Sequence, residues 1–147
     1  EFEALYEQFH HSNAAVFRSL GQSGNFWSEC INAADPTELY VLADPALPAQ
    51  LQWLRTQLPI SIFSNIELAN VLPLFGIDPA WFRHILSAGM VAAPKPALAG
   101  FQKMVELSRI EPPEILYIGD DVAKDVRPAK AVGIQTGLLW SRSPEAD

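Results

Sequence analysis

Apolar side chains at Phe2, Leu5, Tyr6, Phe9, Val16, Phe17 and Leu20 recur mostly at helical spacing through the first twenty residues. Gly21-Gln22-Ser23-Gly24 reads as a turn, and Phe26 to Ala34 as a second short helix. Asp35-Pro36 and Asp44-Pro45 are helix-start signals, with Asp as cap and Pro at the first helical position. The second opens a helix through Leu47, Leu51, Leu54 and Leu58. From Ile60 the pattern changes. Ile60 to Asn65 is a short β-rich run that ends in two small polar residues. Glu67 to Phe75 is read as a helix stopped by Gly76, Asp78-Pro79 as a short helical turn and His84 to Ser87 as a weaker strand. An amphipathic helix follows over Pro96 to Arg109, with Leu98, Phe101, Val105 and Leu107 on it. Glu114 to Gly119 is a buried strand, Asp125 to Val132 a helix ended by Gly133, and Ile134 to Leu139 a last strand.

Strands alternating with helices predict an α/β fold, a Rossmann-like parallel sheet with flanking helices and right-handed crossovers. Residues 1–43 have no strand of equal strength and are expected to form a separate helical unit, leaving 44–147 as the α/β core. The 147 residues are enough for a real core, and 49% hydrophobic with 18% charged residues is a globular composition. A net charge of -7 with no basic stripe argues against a nucleic-acid partner. The single cysteine, Cys30, has no internal partner, which points to a reducing, cytoplasmic setting. No apolar run reaches membrane-spanning length, and no membrane association is expected.

The polar residues gather at three strand ends. Ser64 and Asn65 close the first strong strand, Lys95 stands between Pro94 and Pro96 just before a helix, and Asp120, Asp121 and Asp125 follow the later strand. In a parallel sheet these ends share one edge, where α/β proteins place ligands. A hydroxyl, helix-start N–H groups, an ammonium and clustered carboxylates that a hard cation such as Mg²⁺ would relieve together describe a phosphate site. Each part also has a plainer reading. Ser64-Asn65 alone would be a helix cap, Lys95 alone a solvated lysine and Asp125 alone an N-cap. Asp120 and Asp121 directly after an apolar strand have the least structural excuse. His10 and His11 read as solvated or capping residues and His84 as isolated, and Trp27, Trp53, Trp81 and Trp140 as core or domain-contact residues.

Ser64 after an apolar strand, Lys95-Pro96, and Gly119-Asp120-Asp121-Val122-Ala123-Lys124-Asp125 resemble, in order and spacing, the second, third and fourth motifs of the haloacid dehalogenase-like (HAD) hydrolases. The resemblance covers about residues 40–140, and Asp44-Pro45-x-Leu47 through Phe63-Ser64-Asn65 is similar to the phosphoglycolate phosphatase and pyrimidine 5′-nucleotidase-like branches. It implies a HAD-like core plus part of a helical cap in 1–43, and a Mg²⁺-dependent phosphatase acting on a small phosphorylated metabolite. It implies that Ser64, helped by the Asn65 backbone, binds the phosphoryl group and that Lys95 neutralises it. By the same resemblance Asp120 ligates Mg²⁺, and Asp125 and Asp121 hold the metal's waters or the lysine.

The family's first motif, a strand ending Asp-x-Asp, is absent from these 147 residues. Leu39 to Asp44 imitates it, but Ala46 stands where the second acid belongs and Asp44 reads better as a helix cap. In the family that strand lies between the two ending at Ser64 and Asp120, so its loss would leave two rows of backbone groups unpaired. With a first residue, Glu1, that is not Met, the expectation is an N-terminally incomplete chain. The alternatives are a strand from another chain, or Leu39 to Ala43 in its place. A catalytically inactive binding or scaffold protein is the rival function, and metal-independent dehalogenation a third.

Overall fold

A computed structural model describes residues 1–9, 13–24 and 26–139. His10, His11 and Trp140 lie outside the described residues. The chain divides into two compact units, Glu1–Ala43 and Asp44–Asp147.

The first unit carries helices α1 (Phe2–Gln8), α2 (Asn13–Ser19), α3 (Phe26–Ala33) and α4 (Pro36–Leu39). Its interior is small and aromatic. Val16 is fully buried, and the Phe17 ring lies 5.9 Å from Phe2, 5.1 Å from Phe26 and 5.8 Å from Trp27. Asp35 caps α4 by accepting from the Thr37 N–H and hydroxyl, and these bonds hold its carboxyl below the usual value.

The second unit opens with α5 (Leu47–Gln57). The Asp44 carboxylate accepts from the Ala46 N–H at 2.8 Å, which makes a turn, and the helix begins only after it. Strands β1 (Ile62–Phe63) and β2 (Ile85–Leu86) pair in parallel, with Ile62 beside Ile85 and Phe63 beside Leu86. Between them the expected helix over Glu67 to Phe75 does not form. The segment closes into a 3₁₀ turn at Leu72–Phe75, because Pro73 has no N–H for a helical ladder and Gly76 ends the turn in the left-handed region at φ 71°.

Helix α6 (Leu98–Ser108) leads to β3 (Leu116–Gly119), which pairs in parallel with β4 (Gln135–Leu138) from Leu116 beside Gln135 to Gly119 beside Leu138. The helix after β3 starts earlier than expected, as a π turn over Val122–Val126 capped by Asp121, and continues as α7 (Arg127–Ala131). Asp125 is therefore inside the turn and not its cap. The described strands thus form two separate parallel pairs, with no backbone ladder from β1 to β3.

What joins the pairs is α6. The fully buried Phe101 ring meets Phe63 of β1 and Tyr117 of β3 edge-on, each at 5.1 Å. Gly100 permits this approach: a Cβ there would lie 1.9 Å from the Phe63 ring. Leu86, Ala129 and Ile134 complete the buried cluster. The apolar β3 run is covered on one face only, since Leu116 and Ile118 are 61% and 55% exposed, so among the described residues the expected buried strand is half-buried.

Candidate active site

Lys95 lies in an irregular stretch between β2 and α6, and its side chain reaches the end of β3. Its ammonium donates to Asp125 Oδ1 at 2.5 Å and to Tyr117 Oη at 3.0 Å, and it lies over the rings of Phe63 and Tyr117 at 5.4 and 5.6 Å. The Lys95 and Asp125 side chains are only 13% and 3% exposed, so this is a buried pair whose charges need each other. Asp125 is satisfied on both oxygens: Oδ1 takes Lys95 and the Tyr117 hydroxyl at 3.0 Å, and Oδ2 accepts the N–H groups of Asp120 and Asp121. Gly119 makes room, because a Cβ there would lie 2.4 Å from the Asp125 Cβ.

Tyr117 escapes a reading of the sequence for chemistry. Its hydroxyl also lies 3.4 Å from the Phe63 carbonyl, across the gap between the two strand pairs. Burial, then the Asp125 charge and hydrogen bond, and then Asp120, push the phenol well above its ordinary value, so it stays neutral. The one signal in the sequence is a hydroxyl-bearing residue inside an apolar strand, two positions before Gly119.

Asn65 and Lys95 are brought together by two hydrogen bonds between the Asn65 side chain and the Lys95 backbone, one donated by each residue. Ser64 follows β1, and its Oγ accepts the Ile66 N–H at 3.1 Å while its hydroxyl proton has no acceptor among the described residues.

The three acids do not converge. Asp125 faces Lys95, and Asp121 is turned back on its own loop, where Oδ1 accepts the N–H groups of Ala123 and Lys124 and Oδ2 pairs with Lys124 Nζ at 3.2 Å. Burial works against the Asp121 charge, but the Lys124 bonds and charge and the Ala123 bond outweigh it and lower its pKa. Asp120 is exposed, with no hydrogen bond or ion pair to its carboxylate among the described residues. Among the described residues no group of three acidic, histidine or cysteine side chains is arranged to hold a metal ion. Of the two roles expected for Asp125, the structure has it on the lysine, and Asp120 is the acid whose carboxylate has no partner among the described residues. That still fits Mg²⁺, which keeps several waters and takes one or two carboxylates together with a phosphate.

A family model described as haloacid dehalogenase-like hydrolase matches residues 11–133. The chain belongs to this family. A HAD-like hydrolase domain-containing protein 3 of Xenopus laevis is 28% identical over 64 residues, 44% of this chain and 26% of that relative. The matched stretch thus spans about a quarter of the relative's length. The solved HAD phosphatase of Thermococcus onnurineus superposes with a TM-score of 0.64 at 23% identity, covering 97% of this chain and 78% of that one. YfnB of Bacillus subtilis, solved with magnesium bound, gives 0.59 at 18% identity over 93% and 68%. At these identities the structures speak for the HAD fold. No helix of the described residues is long and apolar enough to cross a membrane.

Proposed function

We propose that this HAD-like chain belongs to a cytoplasmic, Mg²⁺-dependent phosphatase acting on a small phosphorylated metabolite. The observation that carries the reading is the buried Lys95–Asp125 pair, to whose lysine backbone Asn65, the neighbour of Ser64, is hydrogen-bonded. A lysine fixed by a carboxylate and a neutral phenol presents positive charge to phosphoryl oxygens without a reorganisation cost at the moment of reaction. Ser64 donates a hydrogen bond to the same group, and Asp120 is the residue that would hold Mg²⁺. When bound, the cation supplies neutralisation of the charge on the transferring group. Residues 1–43 serve as part of the cap, and the acid that attacks phosphorus comes from outside these 147 residues, since no Asp-x-Asp occurs among them.

The test is phosphate release from a panel of small phosphomonoesters by the full-length protein, with and without Mg²⁺. Asp120→Ala should abolish Mg²⁺-dependent turnover, and retained activity would sink the site assignment. The missing Asp-x-Asp favours a second reading, a catalytically inactive HAD-like binding or scaffold protein. Inactivity of a chain carrying everything encoded upstream of Glu1, with phosphate binding intact, would establish it. Turnover of a 2-haloacid without metal would instead favour dehalogenation.

A further inference from the structure

We infer that the Asn65 side chain acts through Lys95: it is a positioning group whose amide sets the lysine's backbone, and the side chain does not itself contact the phosphoryl group. Asn65 Oδ1 accepts the Lys95 N–H at 2.8 Å, and Asn65 Nδ2 donates to the Lys95 carbonyl at 3.1 Å. One side chain thus satisfies both main-chain groups of a single residue, as a neighbouring strand would. No strand does so here, because residues 91–97 form neither helix nor strand. Pro94 and Pro96 carry no N–H, so across 94–96 Lys95 offers the only backbone donor, and Asn65 takes it.

The link has a functional consequence that rests on the phosphatase reading above. Asn65 is covalently next to Ser64, so its two bonds to Lys95, 30 residues away in the chain, hold the Ser64 hydroxyl and the base of Lys95 in one register. The far end of Lys95 is fixed by Asp125 and Tyr117. With both ends held, the ammonium is placed before any anion arrives, and small displacements of such a group are costly to transition-state binding.

The test is a double-mutant cycle on the full-length protein, with inorganic phosphate as the probe and affinity read by calorimetry. Asn65→Ala should weaken phosphate about tenfold with Lys95 present, the scale of two lost hydrogen bonds. In a Lys95→Ala background it should cost nothing further, because the residue then has nothing to position. Exchange of the Lys95 amide, followed by NMR, should quicken about tenfold in Asn65→Ala as its acceptor is removed. Equal losses in both backgrounds would mean that Asn65 touches the anion directly, and an unchanged Lys95 amide would mean that the link does not hold the backbone. Either overturns the inference. Asn65→Asp keeps the shape and the acceptor but loses the donor, and if the alanine variant does not fold it is read in the same cycle. Absence of phosphate binding by the unmutated protein would sink the phosphatase reading, and the amide exchange alone then decides whether Asn65 pins Lys95.

Discussion

The two stretches that carry the site's charges are held in opposite ways. The acid loop after β3 is closed on itself: Asp121 accepts from Ala123 and Lys124, and Asp125 accepts from Asp120 and Asp121, all within six residues. The Lys95 stretch is held from a distance, by Asn65 at its backbone and by Tyr117 and Asp125 at its ammonium, 22 to 30 residues away. A loop that hydrogen-bonds to itself keeps its shape when the surroundings loosen. A loop tied to three remote residues has a shape only when the fold is complete. Asp125 belongs to both systems, which makes it the point where the contrast can be broken.

Asp125→Ala should have the largest effect. It strands a buried ammonium and frees the N–H groups of Asp120 and Asp121, and denaturant unfolding should show a loss of about 3–5 kcal/mol. A loss below about 1 kcal/mol, the scale of a surface pair, would mean that the two loops are not coupled through this carboxylate. Gly119→Ala presses on the same residue without removing charge, and overpacking of about 1–3 kcal/mol is expected from the 2.4 Å approach to Asp125. Tyr117→Phe keeps the ring against Phe101 but removes the hydroxyl between Lys95 and Asp125. It should cost about 1–2 kcal/mol, and it should perturb the Lys95 resonances more than those of Ala123.

Asp121→Ala tests the self-contained loop, with an expected loss of about 1 kcal/mol for its cap. The sign of its pH dependence follows from the lowered pKa. The folded state holds the Asp121 proton more weakly than the unfolded chain, so its contribution is complete above the ordinary aspartate value of 3.8 and is lost as pH falls below it. The stability gap between the unmutated protein and Asp121→Ala should therefore narrow in acid, and a gap that widened would contradict the assignment.

The self-held features are those that a reader of the sequence can find. Two of the three Asp-Pro pairs form the expected caps, Asp35 accepting from Thr37 and Asp78 from Ala80, whereas Asp44 accepts from Ala46 in a turn ahead of the helix, which starts at Leu47 with Ala46 as its cap. Gly76 and Gly133 take up positive φ where the turns end. The alternation of strands and helices fixes the parallel pairing of β1 with β2 and of β3 with β4. What stayed hidden depends on remote partners. Nothing near Asn65 indicates that its amide will meet Lys95, and nothing near Tyr117 indicates a phenol between a lysine and an aspartate. For the Asp125 carboxylate the sequence leaves the metal's waters and the lysine both open, and the ammonium it pairs with is seen only in the fold. The Glu67 to Phe75 segment shows a local failure of another kind, where apolar spacing favours a helix but Pro73 withholds the donor that would continue it.

Phe101 has a mechanical consequence. Among the described residues the two strand pairs share no backbone ladder, and they are linked by the Phe101 ring, which touches Phe63 and Tyr117, and by the Tyr117 hydroxyl against the Phe63 carbonyl. Lys95 is tied to the Asn65 side through its backbone and to the Asp125 side through its ammonium, so the spacing between the two pairs is read at one residue.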